Sequence, residues 1–183
     1  TGIGKERDDD YLHRFIEIVS KAGCELFIIH ARNIWFDIKR PKENRQKPVI
    51  CYEMVYELKK IFPELEIIIN GDINSLEEGV NHFEHVDGVM LGRFAFHHPY
   101  ELRLIDQLFY QNEHAIASRE EIVAHYLDYV EEDPIKARLE HRPMRHLLNL
   151  YHGERYATQW RRLLSENAAK KGGVFGVRKI LEK

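Results

Sequence analysis

Apolar side chains in the first half of the chain alternate between helical and strand-like spacing. Residues 8–22 place them three and four positions apart, which predicts an amphipathic helix ending at Gly23. The apolar run at 25–31 predicts a strand that is buried on both faces. Further along, the pattern predicts a helix at 52–62, a strand at 66–70, a helix opened by Asn74 or Ser75 with a Glu78 capping box, and a strand at 86–91.

The second half of the chain loses the strand pattern. From Pro99 onward the spacing predicts helices near 100–110, 119–131, 134–151, 156–170 and 174–182. Strands that alternate with helices indicate parallel βαβ units. We therefore predict an α/β part at residues 1–112 and an all-helical domain at 113–183, with a long basic loop at 32–50 inside the first part.

Three predicted strands are too few for a closed barrel, which needs about eight. An open parallel sheet of this size exposes apolar faces and edges. We therefore expect such a part to self-associate or to recruit the missing strands from elsewhere.

Composition narrows the class of protein. The 183 residues are 44% hydrophobic, and no apolar stretch approaches the roughly 20 residues of a membrane span, which predicts a soluble chain without a membrane partner. Cys24 and Cys51 are the only cysteines, and residues 1–7 lack a signal-peptide core, so we expect a cytoplasmic protein without a disulfide framework. Position 1 is Thr1 rather than methionine, which we take to indicate that the natural start lies upstream.

Charge is strongly segregated along the chain. Residues 31–48 hold six basic and two acidic side chains, and residues 134–183 hold twelve basic and four acidic ones. Between them, residues 49–133 hold five basic and eighteen acidic side chains. Two basic zones on either side of an acidic body could let a polyanion bind one face, although charge runs are usually solvated helix faces.

Two predicted strands end at a glycine. Asn70, Gly71 and Asp72 follow one of them, and Gly92 and Arg93 follow the next. Neighbouring parallel strands that end this way can offer backbone N–H groups and a guanidinium to one phosphate group, and such sites are common at the end of a (β/α)₈ barrel. Either glycine alone is better explained by an ordinary turn, so the prediction rests on their pairing.

Three further features complete the candidate chemistry. His30 ends the first full strand and Arg32 follows, so both side chains could face a ligand, although an isolated histidine can also be satisfied by backbone. Neither cysteine has the neighbours of a nucleophile, and no metal-ligand spacing is present. Basic side chains that could bind RNA are Lys42 and Arg45 in the basic loop, downstream of Trp35 and Phe36. In the last domain they are Arg142, Arg145, Arg161 and Arg162, which are interleaved with Tyr151, Tyr156 and Trp160.

Six segments together resemble the A-type bacterial tRNA-dihydrouridine synthases. They are FIIHAR at 27–32, PKENR at 41–45, INGDI at 69–73, HVDGVMLGR at 85–93, MRHLLNLYHG at 144–153 and QWRRLLSENA at 159–168. The resemblance runs in order over nearly the whole chain. It implies the C-terminal part of an FMN-binding (β/α)₈ barrel followed by a helical tRNA-binding domain.

The family reduces a uridine in the tRNA D-loop to 5,6-dihydrouridine, with NADPH reducing the flavin. On that pattern His30 contacts FMN, and its phosphate is held by Asn70, Gly71, Asp72, Gly92 and Arg93. The resemblance assigns tRNA contacts to Lys42 and Arg45 in the basic loop and to Arg142 or Arg145 in the helical domain.

The chain also departs from the family pattern. Asp72 stands where the family usually has a second glycine, and Phe94 where it has a glutamate. The resemblance begins after the fifth barrel strand, so the Asn-x-Gly-Cys loop, whose cysteine protonates the uracil, has no counterpart here. We therefore expect this chain alone to be inactive. The alternatives are a non-catalytic RNA-binding remnant and, less consistent with the basic helical part, another phosphate-binding barrel enzyme.

Overall fold

The computed structural model describes residues 2–3, 9–34, 43, 49–113, 115–133, 143–169 and 178. By compactness the chain divides into two units, Thr1–Arg93 and Phe94–Lys183, and each has its own buried core. The domain boundary predicted between residues 112 and 113 lies further along the chain than this division and stays a prediction.

The first unit has the predicted α/β alternation with a small parallel sheet. Its elements are β1 Gly2–Ile3, α1 Asp9–Lys21, β2 Leu26–His30, β3 Asn33–Ile34, α2 Glu53–Ile61, β4 Glu66–Asn70, α3 Leu76–His82 and β5 Gly88–Met90. The short parallel pair of β1 and β3 was not predicted, because two-residue strands leave no periodic pattern. Ser75 is the N-cap of α3, and its hydroxyl accepts a bond from the Glu78 N–H at 3.0 Å.

Strands β2, β4 and β5 form one parallel sheet in that order. The register places His30 opposite Asn70, and Asn70 opposite Met90. The carboxyl ends of the three strands are therefore level. Since side chains alternate along a strand, these three residues share one face of the sheet.

The prediction that the first full strand is buried on both faces is wrong. Phe27 and Ile29 are buried with α1 and α2 in the core of the unit, whereas Leu26 and Ile28 are 44% and 50% exposed. An apolar run cannot distinguish burial on two faces from burial on one, because both faces carry the same residue types. The exposed face of β2 is the face that carries His30.

In the second unit the described residues form helices. They are α4 Arg93–His97, which begins at the division between the units, a 3₁₀ helix Pro99–Leu104, α5 Ile105–Tyr110, α6 Arg119–Glu131, a 3₁₀ helix Pro143–Leu147 and α7 Ala157–Ala169. Helix α6 has the predicted bounds and begins with a capping box between Ser118 and Glu121. No helix in the described part of the chain is both long and apolar enough to cross a membrane.

The helix predicted at 134–151 differs from the structure where it is described. Residues 143–147 form a 3₁₀ helix, and turns follow. The Leu147 carbonyl accepts bonds from the Trp160 indole N–H at 2.7 Å and from the Leu150 N–H at 3.1 Å. These bonds satisfy the carbonyl in place of an α-helical i+4 partner. Residues 134–142 and the helix predicted at 174–182 lie outside the described residues, apart from Arg178.

Candidate functional site

A chain of hydrogen bonds crosses the carboxyl ends of the three sheet strands. Asn70 donates from Nδ2 to the Met90 carbonyl at 2.9 Å, which turns its Oδ1 toward His30. The His30 Nδ1–H then donates to that oxygen at 2.7 Å. In the neutral imidazole this arrangement places the proton on Nδ1 and leaves Nε2 as the acceptor nitrogen.

Burial lowers the pKa of His30 below the ordinary histidine value of 6.5, and the hydrogen bond to Asn70 opposes that shift. The nearby Arg32 and Arg93 guanidinium groups act in the same direction as burial. His30 is therefore a neutral imidazole near pH 7, with a fixed tautomer.

The loop after β4 turns sharply at Gly71 and Asp72. Gly71 has a φ of +130°, and a Cβ there would lie 3.3 Å from the Ala31 nitrogen and from the His30 ring. Only glycine fits this close approach without displacing the histidine. The Tyr52 hydroxyl anchors the loop, because it lies 2.9 Å from the Gly71 carbonyl and 3.1 Å from the Glu78 carboxylate. Burial is the main reason that the pKa of Tyr52 is raised.

Two guanidinium groups converge on the Asp72 carboxylate. The Arg32 Nη2 lies 3.1 Å from Oδ2, and the Arg93 Nη2 forms an ion pair with Oδ1. Arg32 is 6% exposed, whereas the Arg93 side chain is half exposed. Asp72 itself adopts a left-handed backbone with a φ of +54°.

A depression of about 210 Å³ lies at this edge of the sheet. It brings together all six of the predicted cofactor-binding residues, His30, Asn70, Gly71, Asp72, Gly92 and Arg93. Its remaining lining residues are Arg32, Ile73, Asn74 and Met90. Around the position of a Cβ on Gly92 there is open space. Arginine side chains with open backbone beside them can bind an anion such as a phosphate group.

The sequence-based set of cofactor residues omits Arg32, although this residue supplies the more buried of the two guanidinium groups. Its signal is its position two residues beyond the end of β2, level with the loops that follow β4 and β5. A cation at the carboxyl end of a parallel strand is a candidate ligand-binding group on that ground alone.

Three of the predicted tRNA-binding arginines lie among the described residues of the second unit, and all three are exposed. Arg145 lies on the 3₁₀ helix Pro143–Leu147, and Arg161 and Arg162 lie on α7. Arg162 pairs with Glu166 at 2.7 Å, while the Arg161 Nε donates to the Ala157 carbonyl at 3.2 Å. Lys42, Arg45 and Arg142 lie outside the described residues.

The aromatic residues near these arginines are only partly available for stacking. Trp160 is 9% exposed and belongs to the core of the second unit, so its ring is not available for stacking on a base. Tyr151 packs against Trp160 and donates to the Glu120 carboxylate at 2.7 Å. Tyr156, by contrast, is 62% exposed. Large aromatic residues at helical spacing serve a core more often than a binding surface.

The model of the family described as dihydrouridine synthase (Dus) matches residues 1–182. The tRNA-dihydrouridine(20/20a) synthase of Shewanella oneidensis is 44% identical over 183 residues, which cover 98% of this chain and 54% of the relative. The proteins of that name from Vibrio vulnificus and Synechocystis are 43% and 44% identical, and this chain covers 55% and 50% of their lengths.

The chain therefore spans about half the length of the curated relatives that it matches. The match nonetheless extends along both compact units, from the strand that carries His30 to the helices that carry Arg145 and Arg161. The family predicted from the six sequence segments is confirmed: the chain belongs to the dihydrouridine synthase family.

Proposed function

We propose that this chain supplies the flavin-phosphate end and the tRNA-binding part of an FMN-dependent tRNA-dihydrouridine synthase. In this proposal the first unit is the last portion of a (β/α)₈ barrel, and the helices after it form a tRNA-binding domain. The reaction is the reduction of a uridine in the tRNA D-loop to 5,6-dihydrouridine with NADPH as the reductant.

The observation that carries the proposal is the convergence of Arg32 and Arg93 beside His30, at one edge of a parallel sheet, in a member of this family. FMN differs from riboflavin by a phosphate monoester, and two guanidinium groups match the charge of that group. The Arg32 Nε is buried and has no hydrogen-bond partner among the described residues, so donor capacity remains at the site.

Two arginines at the site favour the binding of a flavin phosphate, whereas one carboxylate opposes it. Arg32 and Arg93 would hold the phosphate, and Asn70 would hold the His30 imidazole in one orientation and one tautomer. When bound, the flavin supplies the hydride chemistry, and the protein supplies position and charge. The Asp72 carboxylate opposes phosphate binding, because it carries the same sign of charge and occupies the same two arginines.

The tRNA surface is proposed to include Arg145, Arg161 and Arg162, which are exposed. Lys42, Arg45 and Arg142 are proposed to join it from residues outside the described part. Contacts from such side chains go mainly to phosphate and are therefore sensitive to salt. The target uridine must leave the tRNA stack to reach a flavin, as base-modifying enzymes require.

We also propose that this chain by itself does not complete the reaction. The resemblance places the cysteine that protonates the uracil in an Asn-x-Gly-Cys loop, and neither Cys24 nor Cys51 stands in that motif. The second candidate function is that of a non-catalytic RNA-binding protein. The ion pairs of Asp72 favour that candidate, since they occupy the phosphate-binding arginines.

Binding of an unmodified tRNA transcript tests the RNA part of the proposal. We expect saturable binding at low salt, with an affinity that falls steeply as salt rises. Arg145→Ala and Arg161→Ala should each lower the salt slope by about one, as the loss of a phosphate contact does. Lys60→Ala, which removes an exposed charge from α2, should leave the slope unchanged. Absence of binding at low salt would contradict both candidate functions.

A further inference from the structure

The Asp72 side chain stands where an anionic ligand would bind. One carboxylate oxygen contacts Arg32 and the other contacts Arg93, so a single side chain engages both guanidinium groups of the depression. A phosphate group that binds both arginines through Nη2 would take the N–H groups that Asp72 now occupies. Carboxylate and phosphate therefore compete for one set of donors.

The backbone at Asp72 is unfavourable for most side chains. Its φ of +54° lies in the left-handed region, which costs a residue with a Cβ free energy that glycine does not lose. The Asn74 side-chain amide donates to the Asp72 carbonyl and helps to hold this conformation. The conformation directs the carboxylate toward the arginines, so the ion pairs offset the backbone cost.

Arg32 gives the carboxylate a second role. A guanidinium that is 6% exposed needs a counter-charge, and Asp72 supplies it among the described residues. The buried Arg32 thus keeps a counter-charge with no ligand bound. A ligand that displaces Asp72 must itself neutralise Arg32, which a phosphate monoester can do and an uncharged group cannot.

We propose that the Asp72 carboxylate is an internal stand-in for phosphate, which weakens phosphate binding at the site and makes a phosphate-bearing ligand exchangeable rather than resident. This inference rests on the proposed function, in that it takes the Arg32 and Arg93 site to be a phosphate site. Asp72 is therefore an affinity-setting residue. The ligand class is a phosphate monoester.

The test is a titration of the full chain with inorganic phosphate at constant ionic strength, followed by NMR at the Arg93 side-chain N–H and the Gly92 amide. Asp72→Asn keeps a residue that tolerates the left-handed backbone and removes the charge. Asp72→Gly removes the backbone cost as well. Glu84→Gln makes the same charge change at an exposed position in the turn after α3 and is the matched control.

We expect both Asp72 variants to bind phosphate at least about tenfold more tightly than the wild type and the Glu84 control. Phosphate should also raise the melting temperature of Asp72→Asn by more than it raises that of the wild type. Adding Arg93→Ala to Asp72→Asn should abolish the gain in affinity.

Two other outcomes are distinct from each other. Equal phosphate affinity in the wild type and both Asp72 variants would overturn the inference and leave the phosphate site standing, with Asp72 serving only to neutralise Arg32. No saturable binding in any variant would show that there is no phosphate site, and the flavin part of the proposed function would fail with it.

Discussion

At the scale of single residues, Asn70 fixes the tautomer of its neighbour His30. Its amide is held by the Met90 carbonyl, so the oxygen that faces His30 is an acceptor and the imidazole nitrogen must carry the proton. A neutral histidine with a fixed tautomer is suited to a ligand that needs one acceptor nitrogen. Burial is the main cause of the lowered pKa of His30, and the Asn70 side chain that faces Nδ1 is a second contribution that one substitution can alter.

Substitutions of Asn70 should move the pKa of His30 in opposite directions. Asn70→Asp places a carboxylate against the imidazole and should raise the pKa, while Asn70→Ala removes the hydrogen bond that opposes burial and should lower it further. Titration of the imidazole by ¹⁵N-edited NMR measures both changes. A His30 pKa that is the same in the two variants would contradict the assigned contact.

The lowered pKa of His30 also makes the free energy of unfolding depend on pH. The unfolded chain takes up the proton first as pH falls below 6.5, so the free energy of unfolding should decrease from there down to the folded-state pKa. Asn70→Asp should reduce this loss, because it brings the folded pKa closer to the unfolded value. Urea unfolding of the wild type and of Asn70→Asp at several pH values, followed by a probe in the first unit, measures this decrease in the free energy of unfolding.

At the scale of elements, periodicity predicted most of the helices and strands. Helix α6 and strand β4 have the predicted bounds, because each has strong local signals: a Ser118 cap with Glu121, and an isoleucine run bounded by Pro63 and Gly71. Which face of a strand is buried could not be predicted, since it depends on what packs there. The 3₁₀ helix Pro143–Leu147 likewise depends on a bond from the distant Trp160.

The same contrast holds for the candidate site. Six of its residues were predictable because glycine and charge follow directly after apolar runs, as at Gly71 and Arg93. The ion pairs of Asp72 were not, because no local pattern shows that Arg32 and Arg93 lie on either side of it. Residues that act through contacts between separate strands leave little trace in sequence order.

Adjacent residues of β2 should respond differently to the same truncation. Ile29→Ala creates a cavity in the core and should cost about 2–5 kcal/mol. Ile28→Ala removes a half-exposed side chain from the open face and should cost less than about 1 kcal/mol. Hydrogen exchange of the amides of β4, the strand that pairs with β2, measures the loss of stability in both variants. Equal costs would mean that the open face is covered in solution.

At the scale of the whole molecule, the open sheet face is the feature most in need of a partner. Leu26, Ile28 and Met90 are each about half exposed on the face that carries His30 and Asn70. Contiguous exposed apolar side chains of this kind usually mark an interface. The chain spans about half the length of its curated relatives, so we propose that further barrel strands or a second copy of the chain cover the face.

Self-association of the purified chain should therefore depend on this face. We expect the weight-average mass in sedimentation to rise with concentration, and Ile28→Glu to suppress the rise by placing a charge on the apolar surface. Glu66→Gln, on the same face near the opposite end of the strands, is a mild control. A monomer at every concentration would contradict the proposed self-association.

The measurement that we would make first is the affinity of the chain for FMN compared with riboflavin, by quenching of flavin fluorescence, in the wild type and in Asp72→Asn. The two flavins differ only in the phosphate group. We predict that the wild type binds FMN more tightly than riboflavin and that the ratio of the two affinities is larger in Asp72→Asn. Arg93→Ala should abolish the preference for FMN, whereas Lys60→Ala should keep it. Equal affinities for FMN and riboflavin in both backgrounds would contradict the assignment of this sheet edge to a flavin phosphate.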